Sequence, residues 1–168
     1  MFLYVTSGTA DFMEKVVEKN TKHPIILLHG NGNSVLLHET EKKSVFAVPR
    51  KFEVLDGSSE LEQKGYYVFH NIPVTDEGRL VFEEQMLALT APLKSDSSLI
   101  AFRLLRPIKA ETYILLTQWS GPASYDVWKN SSHYQKLAPL VEGSTSSVQA
   151  IFNGASYISI YIAPPKDQ

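Results

Sequence analysis

The chain has 168 residues, of which 43% are hydrophobic and 20% are charged, and its formal net charge is -2. This composition is typical of one compact domain or two small ones with an ordinary core, and the lack of a basic stripe argues against a general nucleic-acid or membrane-surface binder. The chain has no cysteine, which excludes disulfides, thiolate catalysis and cysteine-ligated metal centres.

Nothing in the sequence predicts a membrane anchor or an export signal. No apolar run approaches the roughly 18 residues that a membrane span needs. The N-terminal segment MFLYVTSGTADF has no basic region followed by an apolar stretch and a cleavage site, as a signal peptide would. We therefore expect a cytoplasmic protein.

The first 64 residues predict a small α+β part. A strand at Phe2–Gly8 is followed by a helix at Thr9–Asn20, with Thr9 as its N-cap. Two apolar runs then flank the Gly-Asn-Gly of residues 30–32, which is typical of a hairpin. Residues 44–57 look extended, so the predicted order is β-α-β-β-β. The polar stretch at residues 56–65 is the predicted linker, which places the boundary after residue 64.

Residues 65–168 predict the ferredoxin-like order β-α-β-β-α-β. Because helices cover only one face of such a sheet, the other face needs a second sheet. We expect the N-terminal part to supply it, giving a barrel-like core in a monomer; a sheet from a second subunit, as in a homodimer, is the alternative. The predicted elements are a strand at 65–74, a helix at 75–92, strands at 97–107 and 111–119, a helix at 120–140 and a strand at 156–165.

Asn71 and Trp128 are the residues whose placement first points to a pocket. Asn71 ends a predicted strand and shares one face of it with Tyr67 and Phe69, whereas His70 lies on the opposite face. Such an asparagine either lines a pocket or bonds to a nearby turn. Trp128 lies off the centre of the apolar stripe of its predicted helix, where it is either a boundary core residue or the wall of a pocket.

Several segments of the sequence together resemble a known family. The segments NIPV, RLLRP and LLTQW, with the helix that carries Trp128, resemble the antibiotic-biosynthesis-monooxygenase domain and, more closely, the IsdG-type haem-degrading monooxygenases. The layout of the full chain, with TSGTADF near its start and a β-rich N-terminal extension, resembles the two-part, HmoB-like branch of that group. It also resembles the staphylococcal target of RNAIII-activating protein.

The resemblance implies that haem is both cofactor and substrate. Its iron would activate O₂ with electrons from a reductase or a small reductant, and the porphyrin ring would be opened with release of iron. The family's catalytic asparagine and tryptophan fall on Asn71 and Trp128. The residues expected to contact haem beside them are Tyr67, Phe69, His133 and Tyr134.

The iron-ligating histidine of the family falls on Ala138, which cannot bind iron. Tyr134 lies one turn earlier on the same helix face and a phenolate can ligate haem iron, although this residue also fits the apolar stripe. His133 lies about 140° round the helix from Ala138, and His70 is the third candidate. The iron ligand could otherwise be water or a residue of the N-terminal part. The remaining alternative is that the site has lost haem chemistry.

Two other functions are therefore kept beside haem degradation. One is a non-catalytic haem-binding or stress-signalling protein, which the missing histidine favours. The other is a cofactor-independent monooxygenase that acts on a quinol-like aromatic, a hypothesis that depends on fold analogy alone.

Overall fold

The computed structural model describes residues 1–143 and 151–165. Its eight antiparallel strands form one closed barrel in the order β1-β3-β2-β8-β5-β7-β6-β4. Within these two ranges, no helix is both long enough and apolar enough to cross a bilayer. The strands are β1 (Phe2–Gly8), β2 (Ile25–His29), β3 (Ser34–Thr40), β4 (Arg50–Ser58), β5 (Gly65–Pro73), β6 (Leu99–Pro107), β7 (Thr112–Trp119) and β8 (Tyr157–Ala163). The helices are α1 (Ala10–Lys19), α2 (Arg79–Thr90), α3 (Pro122–Lys129) and α4 (Ser132–Val141), with a short 3-10 helix at Ala91–Ser95.

The barrel consists of two four-stranded sheets of similar topology. The second sheet, β8-β5-β7-β6, has the ferredoxin-like connectivity, so the predicted α+β fold is confirmed. The first sheet, β4-β1-β3-β2, repeats this strand pattern, but residues 41–49, between β3 and β4, contain no helix. The sheets do not stack as separate layers, because their edge strands pair and close the barrel within one chain.

The two seams between the sheets differ in extent. Strand β4 pairs with β6 along most of its length, from Phe52 with Pro107 to Ser58 with Phe102. On the other side, β2 and β8 share a single register pair, His29 with Ile162. The β4–β6 seam therefore provides most of the backbone hydrogen bonding between the two halves.

Local sequence signals explain where several elements begin. Thr9 caps α1 as predicted, because its Oγ1 accepts a hydrogen bond of 3.2 Å from the backbone N–H of Phe12. Helix α2 begins only at Arg79, so Asp76 and Glu77, at the start of the helix predicted over residues 75–92, lie in the turn before it.

The helix predicted over residues 120–140 is two helices. Asn130 ends α3, and Ser131 adopts an extended conformation in which its Oγ accepts a hydrogen bond of 3.1 Å from the N–H of Tyr134. Asn and Ser bond readily to nearby backbone groups, which favours such a break. The predicted apolar stripe therefore does not continue along the whole segment. Val127, an apolar residue on the helix predicted over 120–140, is 73% exposed, whereas its neighbour Trp128 is buried.

Strand β5 and its neighbours have two buried faces. One face lines the barrel interior, and the other packs against α2, α3 and α4 and is called the helix side below. The interior core includes Leu3, Val5, Leu37, Phe69, Leu105, Ile114 and Leu116. The helix-side core includes Ile72, Phe82, Met86, Leu104, Tyr113 and Leu137.

An ion pair joins the two halves across the barrel interior. Arg103 of β6, which is 6% exposed, donates through Nε to Glu39 of β3 at 2.6 Å and through Nη2 to the same carboxylate at 3.1 Å. Its remaining hydrogen bonds go to the backbone carbonyls of Phe102, Ser58 and Ser59. A buried guanidinium with a bidentate partner is well compensated, but the loss of that partner leaves a costly buried charge.

We expect the substitution Glu39→Gln to destabilise the fold by about 3 kcal/mol, because it keeps the side-chain shape but removes the charge that compensates Arg103. Urea unfolding at neutral pH measures this change. Glu41→Gln is the matched control, because Glu41 is exposed and, among the described residues, pairs with the terminal amino group at 3.8 Å; its effect should be within about 0.5 kcal/mol. Equal effects of the two substitutions would contradict this role for the ion pair.

Candidate functional site

The helix side of β5 is covered by a cluster of rings that we call the helix-side cluster: His70, Trp119, Tyr125, Trp128 and Tyr134. Trp128 lies at its centre, with ring centroids 4.9 Å from Tyr134, 5.3 Å from Trp119 and 6.1 Å from both Tyr125 and His70. All five side chains are buried. Trp128 is therefore a core residue at the centre of this aromatic cluster.

Strand alternation decides which β5 residues face this cluster. Val68 and Ile72 belong to the helix-side core, and His70 between them contacts the ring of Trp128. Tyr67 and Phe69 belong to the interior core instead, as the period of two requires. The expected grouping of Tyr67, Phe69 and Asn71 on one face is what the structure shows, but that face is the barrel interior.

Asn71 is buried and bonded to the neighbouring strand. Its Nδ2 lies 3.2 Å from each of three acceptors: the carbonyl oxygens of Phe69 and Tyr157 and the Oγ of Ser159. The two predicted catalytic residues, Asn71 and Trp128, therefore do not face a common site. A shift of one residue along a strand reverses the face, and the β5 residue that faces Trp128 is His70.

His133 is fully engaged with its neighbours. Its Nε2 donates to the carbonyl oxygen of Leu89 at 2.7 Å, and its Nδ1 accepts from the indole Nε1–H of Trp128 at 3.3 Å. Both ring nitrogens have partners, so this imidazole has no lone pair available for a metal. Its role in the structure is to tie α4 to the end of α2 and to orient the indole.

Tyr134, the second predicted ligand on α4, is also engaged. Its hydroxyl donates to Oε2 of Glu142 at 2.8 Å. Burial, followed by this hydrogen bond to a carboxylate, raises the pKa of the Tyr134 hydroxyl far above its ordinary value of 10. A phenolate is therefore strongly disfavoured, and the structure favours the packing alternative for this residue.

His70 is the predicted ligand whose electronic state suits a metal. Burial first and the nearby charge of Lys129 second lower the pKa of its imidazole from 6.5 to about 3. The neutral ring is the form that ligates metals. Its Nε2 lies 3.5 Å from the hydroxyl of Tyr125, a long contact that is weaker than an ordinary hydrogen bond.

Two further residues complete the compartment. Ala138 packs at the margin of the helix-side core and brings no ligating atom to α4. Lys129 places its ammonium 4.9 Å from the ring centroid of Tyr134 and 5.8 Å from that of Tyr125. Among the described residues, no group of three or more His, Asp or Glu side chains could hold a metal ion by itself.

The sequence reasoning missed Trp119, Tyr125 and Lys129 as parts of this compartment. The alternation of β5 already placed His70 opposite Asn71, so the correct face was accessible from the strand pattern. Tyr125 lies three residues before Trp128 on α3, a spacing that places two side chains on one helix face, so this contact was also accessible from the sequence. Trp119 had no such signal, because its contact with Trp128 depends on how α3 packs across the end of β7.

Comparison with known proteins supports the resemblance stated from the sequence. No family model matches the chain. A protein of Staphylococcus epidermidis named signal transduction protein TRAP is 24% identical over 172 residues and covers 99% of both chains. The structure described as a major regulator of staphylococcal pathogenesis aligns with a TM-score of 0.85 at 20% identity, covering 98% of this chain and 99% of the other.

Two Listeria monocytogenes structures extend the comparison. A ferredoxin-fold protein related to antibiotic biosynthesis monooxygenases aligns with a TM-score of 0.80 at 19% identity, covering 98% of this chain and 95% of the other. A haem-degrading enzyme aligns with a TM-score of 0.76 at 18% identity, covering 98% and 100%. At these identities the likeness establishes the fold, which is the monooxygenase-like ferredoxin fold over the full length of the chain.

We predict that His70 contributes a pH dependence to folding stability. The unfolded chain binds a proton at His70 near pH 6.5, but the folded chain does so only near pH 3. The unfolded state therefore binds more protons between these values, so the stability held by neutral His70 is complete above pH 6.5 and is lost as the pH falls towards 3.

The measurement is the free energy of unfolding in urea from pH 4 to 7 for the wild type and for His70→Phe. The wild type should lose up to about 1.4 kcal/mol per pH unit more than the variant. Other acid-sensitive groups are common to both proteins and cancel in the difference. Parallel curves over this range would show that folded His70 titrates normally.

Proposed function

We propose that this protein binds haem between β5 and the helices α3 and α4 and degrades it as a monooxygenase. The observation that carries the proposal is the buried pair of His70 and Trp128, whose rings meet edge to face at an interplanar angle of 77°. This pair combines a neutral imidazole with a stiff apolar surface, the two features that a haem pocket on this fold needs.

The residues present fit haem in their chemistry. His70 would hold the iron, the rings of Trp128 and Tyr134 would contact the porphyrin, and Lys129 would meet a carboxylate of the ligand. The cluster is closed, so entry of a flat ligand requires α3 and α4 to separate from β5. The break at Asn130 and Ser131 is the point at which this separation is expected, because no helical hydrogen-bond ladder continues through it.

When bound, haem would supply a redox-active iron for O₂ and would itself be the molecule oxidised, with electrons from an external donor. The chain's own contribution is to exclude water and to hold protons at defined atoms. Burial raises the pKa of the Tyr125 hydroxyl well above 10, so this group stays protonated and can donate a hydrogen bond. The indole N–H of Trp128 is committed to His133, which leaves Trp128 a packing role.

In this proposal Asn71 is a structural residue that fixes β8 beside β5. Loss of its amide would leave the carbonyl oxygen of Tyr157 without this donor, which costs about 1–3 kcal/mol when the acceptor is buried. Its removal should therefore affect stability more than haem chemistry.

A second candidate function is a regulatory protein that does not degrade haem. It is favoured by Ala138 at the position of the family's ligating histidine and by the engagement of both His133 and Tyr134. The TRAP proteins to which the chain is similar carry the description of signal transduction. The two candidates differ in whether bound haem disappears in the presence of a reductant and oxygen.

The deciding experiment is a haem titration of the purified protein followed by ascorbate under air, with catalase present to remove peroxide. We expect 1:1 binding, then loss of the main haem absorption band and capture of ferrous iron by a chelator. His70→Ala should weaken binding at least tenfold, about 1.4 kcal/mol, because it removes the iron ligand. A band that forms and then persists would favour the regulatory candidate, and a band that never forms would rule out haem for both.

The matched control is Asn71→Ser, which changes the neighbouring residue on the opposite face of the same strand. We expect it to lower the urea midpoint but to keep haem affinity and turnover within about twofold of the wild type. Loss of turnover in Asn71→Ser with wild-type activity in His70→Ala would reverse our assignment and restore Asn71 as the catalytic residue.

Ala138→His tests whether haem enters beside α4. If the ligand lies between β5 and α4, a new imidazole at this position provides an additional iron ligand, and haem affinity should rise about tenfold. Electron paramagnetic resonance and the visible spectrum of the ferric complex report the change in ligation. Unchanged affinity and spectra would place the ligand elsewhere.

A further inference from the structure

A cavity lies at the end of the barrel where Asn71 is found, away from the helix-side cluster. Its volume is about 560 Å³, and its walls come from the start of β4, the β6–β7 turn and the start of β8. The apolar part of the wall includes Phe52, Pro107 and Ile108, and Thr112 and Tyr157 add hydroxyls. We call this cavity the basic mouth, because the charged residues that line it are Arg50, Lys51 and Lys109.

The charge of the basic mouth is not neutralised by the protein. No Asp or Glu is among its lining residues. Among the described residues, neither Arg50 nor Lys109 has a carboxylate within 4.0 Å, whereas Arg106 on the outer face nearby pairs with both Glu53 and Glu83. Cations without a nearby carboxylate produce a local positive potential.

The positive charge adjoins apolar surface. The guanidinium carbon of Arg50 lies 5.6 Å from the ring centroid of Phe52, a buried residue of the barrel interior. Tyr157 is 54% exposed at the rim, and its backbone is held by the hydrogen bond from Asn71. A ligand in this cavity would therefore meet the guanidinium of Arg50 beside the ring of Tyr157 and the aliphatic surface of Ile108.

Lys109 has a backbone conformation that a lysine rarely adopts. Its φ is 60°, in the left-handed region that glycine and asparagine tolerate better. Non-glycine residues in this region occur at turns and at ligand sites. Lys109 is exposed, and its position at the tip of the β6–β7 turn places a second cation at the mouth.

The opposite end of the barrel provides an internal contrast. Its cavity, of about 610 Å³, has apolar walls that include Leu3 and Ile25, but its charged residues are mainly Glu39, Glu60 and Glu62, with one lysine. Two of these carboxylates are paired, Glu39 with Arg103 and Glu62 with Lys64, so the described residues that line this end include no unpaired cation comparable to those of the basic mouth. An anion is expected at only one of the two ends.

We infer that the basic mouth binds an amphiphilic carboxylate, a molecule with an apolar body and one anionic end. The apolar wall excludes inorganic phosphate as the preferred ligand, because a small anion would leave that wall in water. The volume of about 560 Å³ lies within the range of small-molecule sites. This site is separate from the proposed haem compartment, which lies on the other face of β5.

The test is isothermal titration calorimetry with monomeric decanoate, below its micelle concentration. We expect saturable 1:1 binding that weakens as salt is added, because surface charges are screened. Decyltrimethylammonium, with the same chain and the opposite charge, should bind at least tenfold more weakly, and acetate should not bind measurably.

The variant is Arg50→Gln/Lys109→Asn, in which asparagine keeps the left-handed turn accessible. We expect at least a tenfold loss of decanoate affinity with an unchanged or raised thermal midpoint. The matched control is Lys22→Gln/Lys43→Gln, which removes the same charge from exposed loops outside the cavity and should bind as the wild type does.

Three outcomes would overturn the proposal. The first is equal affinity for decanoate and decyltrimethylammonium, which would mean that the site recognises only the alkyl chain of the ligand and not its charge. The second is equal loss in the two double variants, which would mean that net charge alone matters. The third is sedimentation with phosphatidylglycerol vesicles without any binding of monomeric decanoate, which would assign the mouth to a lipid surface.

Discussion

The rest of the structure depends on the burial of both faces of β5. This strand pairs with β7 and β8 on its two edges, contributes one face to the barrel interior and packs its other face under α3 and α4. Alternate side chains of β5 therefore belong to two different cores, one in the barrel interior and one on the helix side. Because the side-chain period is two, Asn71 and His70 are neighbours in the chain and belong to different sites.

The alternation separates two groups of buried side chains on β5. On the helix side, the rings around Trp128 exclude water and hold the imidazole of His70 in its neutral form. On the interior side, Asn71 ties β8 to β5 and steadies Tyr157 at the rim of the basic mouth. The Arg103–Glu39 ion pair crosses the same interior nearer its other end and joins the two halves of the barrel. The side chains on the two faces of β5 belong to separate cores, so the backbone of the strand is what connects them.

The comparisons place the chain between two kinds of protein that share one fold. A haem-degrading enzyme and a staphylococcal regulator both align over nearly the whole chain, so the barrel alone does not decide between their functions. The decision depends on a few side chains of the helix-side cluster. Ala138 has no ligating atom and His133 and Tyr134 are engaged with other residues, so the haem proposal depends on His70 of the sheet.

The sequence by itself determined the α+β fold, the ferredoxin-like order of the second half, the cap at Thr9 and the grouping of Tyr67, Phe69 and Asn71, because these follow from local periodicity and capping. It did not determine which face of β5 meets Trp128, or that α3 and α4 are separate helices. The packing of Trp119 against Trp128 and the pairing of β4 with β6 were also decided only in the tertiary structure. These contacts, and the face of β5 that meets Trp128, join residues distant in the chain, which only the packed fold brings together. The break between α3 and α4 is local, because it depends on the bonding of Asn130 and Ser131 to nearby backbone groups.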